Sequence, residues 1–88
     1  MKLAQITGTV TATAKDAGLS SLPLLICDVV DGRGTVLEPA LVAVDSVGAG
    51  PGDLVLVTTG SAARLPARTT GLPVDAVITA IVDRVDIN

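Results

Sequence analysis

The candidates for acid–base or nucleophilic chemistry in this 88-residue chain are Asp28, Asp31, Asp45, Asp53, Asp75, Asp83, Asp86, Glu38, Ser46 and Ser61. Catalysis of either kind needs such groups within reach of one another, and a serine nucleophile needs a base beside it. The sequence holds no histidine, so neither serine can be activated by an imidazole. Asp28 and Asp31 bracket a turn and suit its amides better than a cation. Asp75 and Asp83 lie an even number of residues apart, on one face of any regular strand. There they are solvated or paired with Arg64, Arg68 or Arg84 across an interface. Gly48-Ala49-Gly50-Pro51-Gly52 fails as a dinucleotide fingerprint, because its third glycine would fall on Asp53 and no long helix follows. It reads as a turn. Gly60-Ser61 reads as an ordinary helix cap, and the single cysteine, Cys27, as a small core hydrophobe in a reducing cytosol. No catalytic residue, cofactor site or metal site emerges.

Composition narrows the function further. Aromatic content is 0%, and six Lys and Arg stand against nine Asp and Glu for a net charge of -3. Binding of single-stranded nucleic acid rests on aromatic stacking and a positive groove, and both are lacking. No window of about 18 apolar residues runs free of Gly, Pro or charge, so no membrane-spanning helix is expected. Met1-Lys2 leads into an alternating, Thr-rich segment rather than the apolar run of a signal peptide.

Any site must therefore be positioned by strands. Val, Ile and Thr make up 28 of the 88 residues, and these β-branched types favour extended backbone. Alternation predicts a first strand over Leu3–Thr13, with Ala4, Ile6, Gly8, Val10 and Ala12 on the buried face. A loop over Lys15–Leu19 leads to a second strand, Leu22–Val30, closed by the hairpin turn Asp31-Gly32-Arg33-Gly34. The third strand covers Thr35–Asp45, with an edge, bulge or break at Pro39. After the turn Ser46–Gly52 come a fourth strand (Asp53–Thr59), one helical turn capped by Ser61 and stopped before Pro66, a loop to Pro73, and a last strand over Val74–Ile87. Five short strands and one helical turn make an all-β single domain over 1–88. The expected architecture is a small five-stranded OB-like β-barrel.

A barrel this small has one interior and absorbs one face of each strand. Yet strand 2 is apolar on both faces (Leu22, Leu24, Ile26 against Leu25, Cys27, Val29). So are strand 4 (Leu54, Leu56 against Val55, Val57) and the last strand. With 49% hydrophobic and 17% charged residues, an isolated copy would leave a patch that soluble monomers rarely tolerate. Either loops and the helical turn cover the outer residues, or a second subunit does, and the number of such residues favours the subunit. A monomeric OB-fold module binding a small ligand or single-stranded nucleic acid is the rival reading.

Several strings then add a resemblance. Gly8-Thr9-Val10 with Thr13-Ala14-Lys15, Val44-Asp45-Ser46-Val47-Gly48-Ala49-Gly50, Val55-Leu56-Val57, Gly60-Ser61-Ala62-Ala63-Arg64, Pro73-Val74-Asp75-Ala76 and Ile81-Val82-Asp83 follow one another as in the EutN/CcmL family. The chain resembles these vertex proteins of bacterial microcompartment shells over nearly its whole length. Ser21 and Pro23 depart from the family's Gly and Lys before strand 2. The resemblance implies a cyclic homopentamer without catalysis, located in the bacterial cytoplasm at the fivefold corners of a shell. Hexameric and trimeric facet proteins would be its partners, with no nucleic acid, membrane or cofactor. In such a ring the apolar strand flanks place Val55, Val57 and Ile81 at the subunit interface, the guanidinium fork places Ser61 and Arg64 at the pentamer edge or a subunit junction, and small size suits Gly48, Ala49 and Gly50 to the ring axis. A head-to-tail interface must close on itself to avoid running on as a filament.

Overall fold

The computed structural model describes residues 1–12, 17–19, 22–71 and 74–88. Thr13, Ala14, Lys15, Ser21 and Pro73, to which the sequence reading assigned places, lie outside the described residues. The strands are β1 (Lys2–Val10), β2 (Leu24–Val30), β3 (Val36–Asp45), β4 (Leu54–Thr59) and β5 (Ala76–Ile81), with 3-10 turns at Ala17–Leu19 and Gly60–Arg64. They close into one barrel in the order β1-β2-β3-β5-β4. All neighbours are antiparallel except β3 and β5, which run parallel through only two pairs, Val44↔Val77 and Asp45↔Ile78. Five strands, closure and the helical turn after β4 agree with the sequence.

The barrel interior takes Ala4 and Ile6, Leu25 and Cys27, Ala43, Val55 and Val57, and Ala76 and Ile78. These small and β-branched side chains fill a narrow barrel without an aromatic ring. A second, separate cluster joins Leu22, Val44, Ala63, Val74 and Val77, with Leu19 and Leu24 packed on it. It lies on the outside of the sheet, under the Gly60–Arg64 turn. Part of the outer apolar face is therefore covered from within the chain, as loops and the helical turn allow. Leu22, Leu24 and Val77 need no partner.

Several expectations fail where the pleat is interrupted. The register shifts between Ile6 and Gly8, so Gly8 pairs with Ile26 and Val10 with Leu24. One extra residue reverses the alternation, and Gly8 and Val10 no longer share a face with Ala4 and Ile6. A second shift brings Ala80 beside Leu56 and Ile81 beside Val55. The last strand stops at Ile81 rather than running from Val74 to Ile87. Beyond it, Val82 still donates its N–H to the Leu54 carbonyl at 2.8 Å. The tail then crosses to the β2–β3 turn, where Ile87 and Val85 stand against Gly32.

The β2–β3 turn also differs in type. Gly34, not Gly32, is left-handed, at φ 89°. Asp31 holds the turn by accepting from the N–H groups of Arg33 (2.8 Å) and Thr35 (3.0 Å). A three-residue connection with its glycine last replaces the two-residue turn an Asp-Gly pair suggests. The break at Pro39 is present: pairing jumps from Cys27↔Leu41 to Val29↔Glu38. Ala40 beside it is left-handed at φ 59°. Asp28 Oδ1 holds that conformation by accepting from the Ala40 N–H at 3.1 Å.

Candidate subunit and shell interface

The turn between β3 and β4 is built from both ends by carboxylates. Asp45, itself buried, accepts from the N–H groups of Val47 (2.9 Å) and Gly48 (3.1 Å). Asp53 Oδ2 accepts from the Gly50 N–H at 2.9 Å, and Ser46 Oγ donates to the Ile78 carbonyl at 2.7 Å. Gln5 Nε2 donates to the Gly52 carbonyl at 2.7 Å. Gly48 and Gly52 supply the positive φ, 81° and 92°, that this tight course requires. Ala49 packs against the barrel core, whereas Gly48 and Gly50 face open space. Gly48-Ala49-Gly50 thus forms a rigid, small-residue surface that another chain can approach closely.

The segment after β4 is equally fixed. Thr59, not Ser61, occupies the cap position of the Gly60–Arg64 turn, and its side chain makes no cap bond. Ser61 is exposed instead. Gly60 donates its N–H to the Asp75 carbonyl at 2.8 Å, tying the turn to the start of β5. Thr69 is fully buried, and its Oγ1 lies 2.7 Å from the Ala63 carbonyl and 3.2 Å from that of Pro66. Ser61, Arg64 and Asp75 line one open groove. Among the described residues the ion pairs are Lys2–Glu38 (3.6 Å) and Arg84–Asp86 (3.1 Å), and neither Arg64 nor Arg68 pairs with a carboxylate there.

The strand residues separate into two groups. Val55 and Val57 are 0% exposed, inside the barrel beside Ala4 and Ile78. They cannot touch a second chain, and the place expected for them on the outer flank falls to Leu54 and Leu56. Parity explains the exchange: adjacent strand residues face opposite sides, and only the packing decides which side is inside. Ile81 is 42% exposed at the end of β5. The register sets Leu3, Leu56 and Ala80 side by side across β1, β4 and β5, a half-buried apolar row outside the barrel.

Two features went unread in the sequence. Leu65, directly after Arg64, is 79% exposed. A cavity of about 220 Å³ lies outside β1, lined by Leu3, Leu54, Val30 and Val36 together with Asp28 and Asp31. The cavity joins four segments that only the folded topology brings together. Leu65 could have been noticed as a large apolar residue between a helix end and a proline.

Asp31, Asp45 and Asp53 are engaged with backbone amides, and among the described residues no group of His, Cys, Asp and Glu could hold a metal. Cys27 is buried, and its thiol is pushed above the ordinary thiol range first by desolvation, then by the charges of Asp28 and Asp45. No helix among the described residues is long and apolar enough to cross a membrane.

Residues 1–83 match the family described as ethanolamine utilisation protein EutN/carboxysome. The chain is 41% identical to the bacterial microcompartment shell vertex protein EutN of Salmonella typhimurium over 97% of its own length and 86% of the relative's. It superposes on the structure of CcmL from Nostoc sp. with a TM-score of 0.92 at 42% identity, covering 99% and 92% of the two chains. The pentameric microcompartment shell protein GrpN from Rhodospirillum rubrum gives a TM-score of 0.86 at 36% identity, covering 99% and 100%.

Proposed function

This chain belongs to the EutN/CcmL family, and from that premise we propose that five copies close into a ring occupying the vertices of a bacterial microcompartment shell. The carrying observation is the near-full-length match to shell vertex proteins at about 40% identity. The geometry supports it: with the barrel filled and the Gly60–Arg64 turn seated, the row Leu3, Leu56 and Ala80 remains on the outer face and Ile81 stays exposed where β5 ends. Covering such residues releases about 25 cal/mol for each Å² of apolar surface, which drives association.

The role is structural rather than catalytic. A flat-sided ring of five equivalent wedges presents five equivalent edges, and we place hexameric and trimeric facet proteins against them. Arg64 and Ser61 stand at the pentamer edge or at a junction between its subunits, because a guanidinium fork suits bidentate capture of a carboxylate or of backbone carbonyls from another chain. The open side of Gly48-Ala49-Gly50 is the second surface offered to a neighbour.

Native mass spectrometry of the purified protein tests the ring: a pentamer is expected at micromolar concentration and physiological salt. A single monomeric species refutes it. Imaging of shells assembled from facet proteins tests the location. Closed polyhedra are expected with this chain present and unclosed ones without it, and closed shells lacking it overturn the assignment.

A further inference from the structure

We propose that, in a pairing that presupposes the ring above, Leu65 of each copy seats in the cavity outside β1 of the next copy. Arg64 and Arg68 then face the carboxylates of Asp28 and Asp31 there. Among the described residues Leu65 is the most exposed large hydrophobic after Met1, and solvation gives no reason for it. It is also held still. Its N–H donates to the Ala62 carbonyl at 3.2 Å, and the loop beyond is pinned by the buried Thr69 and by Thr70 Oγ1, 3.0 Å from the Pro66 carbonyl. A fixed apolar knob loses little conformational freedom on docking.

The cavity is complementary in shape and charge. At about 220 Å³ it has room for a branched four-carbon side chain, and Leu3, Leu54, Val30 and Val36 supply an apolar wall. Asp28 and Asp31 each spend Oδ1 on backbone N–H groups of the β2–β3 hairpin, at 3.1 Å from Ala40 and 2.8 Å from Arg33. Among the described residues the second oxygen of each accepts nothing, so each fixed carboxylate lining the cavity keeps one oxygen unspent. Arg64 and Arg68, on either side of Leu65, form no ion pair among the described residues, and a guanidinium is the cation best shaped for carboxylate oxygens.

One chain cannot bring the two surfaces together. Leu54 begins β4 and the Leu65 turn follows its end, a separation of about 20 Å along the strand. The knob and its cavity thus lie at different places on one subunit, as a head-to-tail contact requires.

A chain carrying both Leu54→Cys and Leu65→Cys, treated with a short bis-maleimide, is expected to give a covalent ladder ending at five subunits. Each single variant should give uncrosslinked subunits alone. No ladder while sedimentation shows an intact ring overturns this pairing and leaves the ring standing. Dispersal of the unaltered protein into monomers overturns both. Leu65→Asp, an exposed change that spares the barrel, should weaken assembly about tenfold or more with an unchanged circular dichroism spectrum. An unweakened ring in that variant likewise overturns the pairing.

Discussion

Val57 and Leu54 stand on one strand with opposite duties, and truncating each to alanine separates folding from assembly. Val57 is wholly enclosed by the barrel, so Val57→Ala removes two buried carbons at about 0.8 kcal/mol each and leaves a small void. The cost is about 2 kcal/mol of folding stability. An 88-residue chain unfolds with an entropy of about 0.18 kcal/mol per degree, so the melting temperature falls by about 11 °C. Leu54 is partly buried and lines the open outer cavity, so Leu54→Ala sheds three incompletely covered carbons without leaving an enclosed void and costs the isolated fold about 1.5 kcal/mol, less than Val57→Ala. Its main effect is expected on the ring. Calorimetry on dilute, dissociated protein reads the first quantity, and sedimentation velocity across a dilution series reads the second. Dilution matters because assembly raises apparent stability by mass action. The reasoning fails if Val57→Ala melts with the unaltered chain, or if Leu54→Ala costs the dilute protein as much as Val57→Ala does.

Three further outcomes are expected. Ala40→Gly removes the cost of a left-handed alanine, about 1 kcal/mol, and should raise the melting temperature by roughly 4–8 °C; a lowered value refutes the strain. Thr69→Val deletes a buried hydroxyl that bonds the Ala63 carbonyl and should destabilise the chain by about 1–2 kcal/mol in a urea titration, with exchange protection lost first around the Gly60–Arg64 turn. Cys27 has a raised thiol pKa in the fold, so the unfolded chain loses that proton first as pH rises. Its contribution is complete below the ordinary thiol range and is lost above it, through the raised value. Replacing Cys27 with alanine should flatten the alkaline slope of stability, and an unchanged slope rejects the assignment.

The sequence revealed the strand count, the turn residues and the excess of apolar faces, because these are local properties of spacing and side-chain type. It did not reveal which face of β4 lies inside. Val55-Leu56-Val57 alternates equally well either way, and only contact with Ala4 and Ile78 decides. Nor could alternation foresee the bulges after Ile6 and near Thr79, since one additional residue leaves composition unchanged and reverses the pattern beyond it. Asp28 was legible as a turn residue, but its task is to hold Ala40, twelve positions away on the partner strand. Val74–Ile87 reads as one long strand from its alternation, yet pairing ends at Ile81 because the tail leaves β4 at Leu54.

The seam between β3 and β5 bears on how the molecule forms. The β2–β3 hairpin joins residues close in sequence and can zip quickly, whereas Val44 and Val77 must meet across some thirty intervening positions for only two rungs of ladder. Closure at that seam, like that of β1 on β4 across some fifty positions, is therefore expected after the hairpin, and with two rungs β3–β5 is the seam where the finished cylinder should breathe first. Before it shuts, Val44 and Val77 lack their cover and the edges of both strands are bare. Nascent copies gathering at a growing polyhedron would be most prone to pair edge to edge during that interval, when two strands stand open at once.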